Sequence, residues 1–256
     1  MSENLFNLEG RVALVTGGSR GLGKAMARAF AEAGADVIIS SRNESELKAA
    51  LSEILDGTGS RGVYLTADLM KRSDSEALGR KALEKFGRID ILVNNAGTNI
   101  PEPIGEVDDA NWDRSIELNL TAGMVLSRTL VGQMKERNWG RIIYISSIMG
   151  LASKEWRNSY SATKSAVIGL AKASALELAP FGITVNCIAP GPFLTELPLG
   201  LLNDEQKKVA SDRTALGRWG NPEEMAGPAL LLASDAGSYI TGSVLLVDGG
   251  LLSKTF

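Results

Sequence analysis

The chain has 256 residues, 44% of them hydrophobic and 22% charged, which is enough to bury one sizeable core within a single domain. Its 27 Lys and Arg are interspersed with 30 Asp and Glu for a net charge of −3, so no basic field for nucleic acid is present. There is no histidine and one cysteine, Cys187, which excludes Ser-His-Asp hydrolysis, imidazole acid–base chemistry, a His- or Cys-based metal site and any internal disulfide.

The first residues, from Met1 to Leu5, carry neither a basic segment nor the apolar run of a signal peptide, and no apolar window reaches the length of a membrane span. A soluble, cytoplasmic protein with no membrane partner is the expectation. Short β-branched or aliphatic runs at 12–16, 37–41, 62–66, 89–93, 141–146, 183–188 and 244–247 alternate with stretches of helical periodicity. That alternation predicts an α/β fold, a seven-stranded parallel doubly wound sheet with helices on both faces.

After the first strand, Leu22, Ala25, Met26, Ala29, Phe30 and Ala33 hold one apolar helix face, and Gly34 stands where a helix-terminating glycine belongs. Asn43, Ser73 and Asp108 are candidate N-caps of the next helices. A long helix carries Tyr160 and Lys164 and should end near Ala179, before Pro180. The segment 190–213 has three prolines and the apolar residues Phe193, Leu194, Leu197, Leu199, Leu201 and Leu202, the composition of a substrate lid within the domain. Cys187, in an apolar strand, reads as a small core residue.

The turn Thr16-Gly17-Gly18-Ser19-Arg20-Gly21-Leu22-Gly23 follows a strand and opens a helix, so backbone N–H groups and the positive helix end can meet a pyrophosphate. Its glycine spacing departs from G-x-G-x-x-G. At the end of the second strand, where a carboxylate would bind the free ribose 2′-hydroxyl of NAD, this chain has Ser40, Ser41 and Arg42. Hydroxyls and a guanidinium suit a 2′-phosphate, with Arg20 as a second cation, and point to NADP(H). Tyr160 and Lys164 share one helix face, where a cation could pull the phenol below its usual pKa of about 10.

With Asp68-Leu69, Asn94-Asn95-Ala96-Gly97, Asn119, Ser147, Tyr160 with Lys164, and Pro190-Gly191 followed by Thr195, the chain resembles the short-chain dehydrogenase/reductase family over nearly its whole length. The resemblance implies a Rossmann fold and an oxidoreductase that interconverts a ketone and a secondary alcohol. It implies that Asp68 and Leu69 meet the adenine, that Asn95, Ala96 and Gly97 line the adenosine ribose, and that Pro190, Gly191 and Thr195 border the nicotinamide. Tyr160 would be the general acid and Ser147 the carbonyl-holding donor. Lys164 would bind the nicotinamide ribose and lower the phenol pKa, and Asn119 would anchor a proton-relay water.

If the family layout holds, Ile148, Met149, Ser153, Trp156, Phe193, Leu194 and Leu197 select the substrate, with Ser147 and Tyr160 at the reacting carbonyl. The C-terminal third is similar to the gluconate 5-dehydrogenase branch, through Arg218-Trp219-Gly220-Asn221-Pro222-Glu223-Glu224 and the run from Leu245 to Leu252. A sugar acid needs a cationic clamp, for which Lys154 and Arg157 are the nearby candidates. The rival is a 3-oxoacyl-acyl-carrier-protein reductase. Its basic docking positions align here with Asn138 and Phe181, but Lys135, Arg137 and Arg141 could form a displaced patch. A reading of another class is a catalytically silent NADP-binding sensor or scaffold. The resemblance also implies a homotetramer or homodimer, built on the two long helices and the apolar tail Leu251-Leu252.

Overall fold

The computed structural model describes residues 4–196 and 200–254. Its seven strands are β1 (Val12–Thr16), β2 (Asp36–Ser41), β3 (Gly62–Thr66), β4 (Ile91–Asn94), β5 (Gly140–Ile145), β6 (Ile183–Pro190) and β7 (Val244–Val247). All pair in parallel, in the order β3-β2-β1-β4-β5-β6-β7. The doubly wound parallel sheet expected from the alternating runs is therefore present. Its order reverses between β1 and β4, which opens a crevice at their C-terminal ends.

Strand residues alternate between two cores, because successive side chains point to opposite faces. Ala13 and Val15 pack with Met26 and Phe30 of α1 (Gly21–Glu32) and Leu47 and Ile54 of α2 (Glu44–Leu55). Val12 and Leu14 pack with Leu78 and Ala82 of α3 (Arg72–Phe86) and Leu126 and Leu130 of α5 (Ala122–Glu136). Cys187 lies in this second core, where burial pushes its thiol pKa up to about 12 and leaves it inert.

Helix ends follow the sequence at most points. Gly34 adopts φ +97°, and Ala35 N–H to Phe30 O with Gly34 N–H to Ala31 O completes a Schellman turn. The Asn43 side chain accepts from the Ser45 and Glu46 amides, and Asp108 accepts from Asn111 at the start of α4 (Asp109–Ile116). Ser73 is not a cap. The helix begins one residue earlier, at Arg72, because Asp68 already organises the preceding turn through Lys71 N–H to its carbonyl at 2.9 Å and Met70 N–H to its carboxylate at 3.3 Å. β4 starts at Ile91, two residues later than expected. The carboxylate of fully buried Asp90 accepts from Val12 N–H at 2.9 Å and from Arg88, fixing the strand's entry as an electrostatic anchor.

α6 (Asn158–Leu178) ends one residue before the expected stop and passes Pro180 in a single 3₁₀ turn. Among the described residues two further helices, α7 (Asp204–Arg213) and α8 (Ala226–Ala233), cover the C-terminal part. No helix among the described residues is long and apolar enough to cross a membrane.

Candidate active site

The loops leaving β1 to β6 line a cleft of about 1900 Å³ at the topological switch point. Its floor is the glycine turn. Thr16 Oγ1 accepts from the Asn95 and Ala96 amides at 3.0 and 3.1 Å, and Asn95 Nδ2 donates to the Thr16 and Gly17 carbonyls at 2.9 and 3.2 Å. These bonds clamp the turn to the end of β4. Gly17 and Gly21 have φ of +63° and +53°, conformations that side chains resist. Gly23, expected among the cofactor-facing residues, does not line the cleft. A Cβ there would lie 2.2 Å from the Gly17 carbonyl, so its role is to let helix and strand approach.

Ser41, Arg42, Asp68 and Leu69 line the far end of the cleft. The exposed Arg42 guanidinium makes no ion pair among the described residues, and buried Ser40 has a hydroxyl with no hydrogen-bond partner. Arg20 is placed differently from expectation: it pairs with Glu196. Both side chains are more than half exposed, so the pair is weak and open to exchange for another anion.

At the near end stand Ser147, Tyr160 and Lys164. Ser147 follows β5 and caps a short turn, its Oγ accepting from Met149 N–H at 3.1 Å. Tyr160 occupies the first turn of α6 and Lys164 the next. Lys164 Nζ donates to the Ile145 carbonyl at 2.8 Å while Ser146 Oγ donates to the Lys164 carbonyl at 2.7 Å, which docks the helix on the strand end. The ammonium lies 5.6 Å from the Tyr160 ring centre.

Asn119 belongs to a π-helical turn, Glu117–Thr121, between α4 and α5, an irregularity frequent at functional sites. Its Oδ1 accepts from Thr98 N–H at 2.7 Å, and its Nδ2 donates to the Thr98 carbonyl and to Thr163 Oγ1. The side chain therefore fixes Gly97 and Thr98 against α6 and does not line the cleft. A Cβ on Gly97 would meet Asn119 Oδ1 at 3.1 Å and Lys164 Nζ at 3.4 Å, so only glycine leaves the ammonium accessible.

Burial pushes the Tyr160 phenol above its usual value, against the pull of the Ser147 hydroxyl and the Arg157 guanidinium. The cation that opposes the rise is Arg157. Lys164, expected in that role, is turned to Ile145, and burial pushes its own pKa down to about 8.

Ile148, Met149, Ser153, Lys154 and Arg157 line the substrate end. Trp156 does not. It takes φ +64° and is 60% exposed, because that left-handed turn sends its ring outward and directs Arg157 inward. Phe193 borders the cleft but is only 4% exposed, its ring packed on Gly220 in the first core, which makes it chiefly a wall. Leu194 lies outside the cleft wall, and Leu197 and Leu199 lie outside the described residues.

The short-chain dehydrogenase family matches residues 11–206. The chain belongs to this family. It is 41% identical to 2-dehydro-3-deoxy-D-gluconate 5-dehydrogenase of Dickeya dadantii over 98% of this chain and 99% of that one. Identity to the 3-oxoacyl-acyl-carrier-protein reductase of Chlamydia muridarum is 40%, over 95% and 98%. The crystal structure of a gluconate 5-dehydrogenase from Burkholderia cenocepacia, in complex with NADP and tartrate, superposes with a TM-score of 0.92 at 34% identity, covering 98% of both chains. As a short-chain dehydrogenase the protein is an oxidoreductase acting on CH–OH groups.

Sequence reasoning did not single out several residues that line this dehydrogenase's cleft, although those of α7 fall within the 190–213 segment read as a lid. Arg114 reaches it from α4. Leu251 and Leu252, read as assembly residues, form part of its wall. α7 presents Gln206, Val209 and Ala210, and its signal was legible: Asn203 and Gln206 form a capping box. The displaced basic patch does not form. Lys135 pairs with Glu177 at 3.5 Å, Arg137 reaches buried Asp90, and Arg141 is itself buried beside Asp235, all towards the opposite end of the strands from Ser147.

Proposed function

We propose that the protein is an NADP(H)-dependent oxidoreductase that interconverts a ketone and a secondary alcohol in a sugar acid. The carrying observation is the convergence of Ser147, Tyr160 and Lys164 at one end of a cleft whose other end is a glycine cradle. The residues fit the dinucleotide. Gly17 and Gly21 leave room for a pyrophosphate on the amides of α1, and Gly97 leaves Lys164 open to a ribose. The orphaned Ser40 hydroxyl and the unpaired Arg42 guanidinium suit a 2′-phosphate. The bound nicotinamide supplies or accepts the hydride.

The chain's own groups handle proton and charge. Ser147 and Tyr160 are preorganised donors for an oxygen that gains negative charge as a ketone is reduced. With burial holding its pKa above the ordinary phenol value, Tyr160 stays protonated at neutral pH and has its proton available for that oxygen. Asn119 keeps Gly97 and Thr98 in place beneath the site. The sugar-acid reading is supported by the Dickeya and Burkholderia relatives and by the pairing of Lys135, Arg137 and Arg141 with Glu177, Asp90 and Asp235, which leaves those three cations no displaced patch for an acidic carrier protein.

A screen of NADPH oxidation over 5-keto-D-gluconate, neutral ketoses and β-ketoacyl thioesters tests this reading. The expected result is turnover of the keto acid, and turnover of thioesters alone would refute it. Arg42→Ala should raise the Kd of NADPH about 10-fold or more while leaving NADH within about 2-fold, since one charge-assisted bond to phosphate is lost. Fluorescence titration with both nucleotides decides it, and equal losses would reject the 2′-phosphate assignment. We further place the enzyme in the cytoplasm as a homotetramer. Exposed Leu176 on α6, Tyr239 and Leu246 of β7 supply apolar surface for such an assembly, and sedimentation analysis measures its order.

A further inference from the structure

Arg157 is a buried cation that pairs with no carboxylate among the described residues. The residue is 8% exposed, yet it lines the cleft, and its guanidinium forms no ion pair among the described residues. Its backbone neighbour across an isolated bridge is Glu102, whose carboxylate instead accepts from Asn111 at 2.8 Å. Removing an Arg from water without a counter-charge is costly, and such groups persist mainly where a ligand completes them.

The position is also built. Glu102 N–H donates to the Trp156 carbonyl at 2.9 Å, and Asn158 Nδ2 donates to the Glu102 carbonyl at 2.9 Å. The left-handed Trp156 residue between these bonds turns Arg157 inward just before α6, three residues ahead of Tyr160. The guanidinium is near enough to act electrostatically on the phenol. The cleft's other cations differ from it: Arg20 pairs with Glu196, and Arg42 is exposed at the far end. Arg114, Lys154 and Arg213 are exposed, and Lys164 is bonded to Ile145.

We infer that Arg157 is the carboxylate anchor of the substrate site, so that this enzyme selects hydroxy and keto sugar acids over neutral sugars of the same shape. The inference rests on the sugar-acid reading above and assigns its selectivity to one residue. The planar fork matches a carboxylate bidentately, and the pair would form where water is largely excluded. Fixing the carboxylate end of the substrate would also orient its ketone towards Ser147 and Tyr160.

The test compares 5-keto-D-gluconate with its neutral amide in NADPH oxidation, for wild type, Arg157→Gln and Arg157→Lys. Circular dichroism verifies that the variants fold. Wild type should prefer the acid. Arg157→Gln should lower kcat/KM for the acid about 100-fold, mainly through KM, and erase the preference, with Arg157→Lys recovering part of it. Equal losses on acid and amide, or a preference that survives in Arg157→Gln, would overturn the assignment. If wild type oxidises NADPH with neither compound, the proposed reaction fails on its own. The anchor is then judged by calorimetry of D-gluconate on the NADP-loaded protein: binding lost in Arg157→Gln upholds it, and unchanged binding overturns it.

Discussion

Tyr160→Phe should reduce turnover by about 1000-fold or more while leaving the Kd of NADPH within about 2-fold, because it removes the general acid and an oxyanion donor together. The ring stays, so the packing of α6 against the end of β5 through Lys164 and Ser146 is untouched. A stopped-flow measurement of NADPH oxidation beside a fluorescence titration separates the two quantities. Retained turnover would remove the phenol from the mechanism. The direction of its pKa adds a second expectation. A phenol held above its usual value is protonated across the neutral range, which serves ketone reduction. Alcohol oxidation needs the phenolate, so the ratio of oxidation to reduction should rise with pH.

What could be read beforehand was whatever depends on local pattern. Seven strands and their order of appearance follow from short apolar runs, the central ones of which are buried on both faces. The glycine turn and Tyr160 with Lys164 could be placed because strand–turn–helix geometry and one helical turn fix them without reference to the rest of the chain. The errors occur where a tertiary contact decides. Trp156 and Arg157 are neighbours in sequence, and only the left-handed turn held by Glu102 determines which one enters the cleft. Phe193 looked like a substrate contact until Gly220 supplied a flat surface for its ring. Arg137 and Arg141 looked like a docking patch because nothing local reveals that Asp90 and Asp235 claim them. Electrostatic roles were the least legible: the amine four residues from the phenol bonds a strand carbonyl, while a guanidinium three residues before it acts on the phenol.

Lys164→Met should abolish turnover and yet make the fold comparatively more stable on the acid side of the amine's titration. Burial lowers the Lys164 pKa from 10.5 to about 8, so between those values the unfolded chain holds a proton that the folded chain has released. Wild-type stability therefore rises with pH across that window, by up to about 3 kcal/mol for this group alone, and is flat outside it. Methionine fills the same space without titrating. The lost bond to the Ile145 carbonyl is a constant offset between the two proteins, so the pH dependence of their difference isolates the charge. Urea midpoints of both proteins at pH 8 and pH 10.5 measure it, and the advantage of the variant should shrink towards the higher pH. A difference independent of pH would mean that the buried amine is not strained. The same titration governs catalysis: the ammonium beside Gly97 loses its charge above about pH 8, so ketone reduction should fall there, before the phenol has titrated. The position is thus one where the fold accepts a desolvated charge that only a bound nucleotide makes use of, the expected conflict between stability and function at a working site.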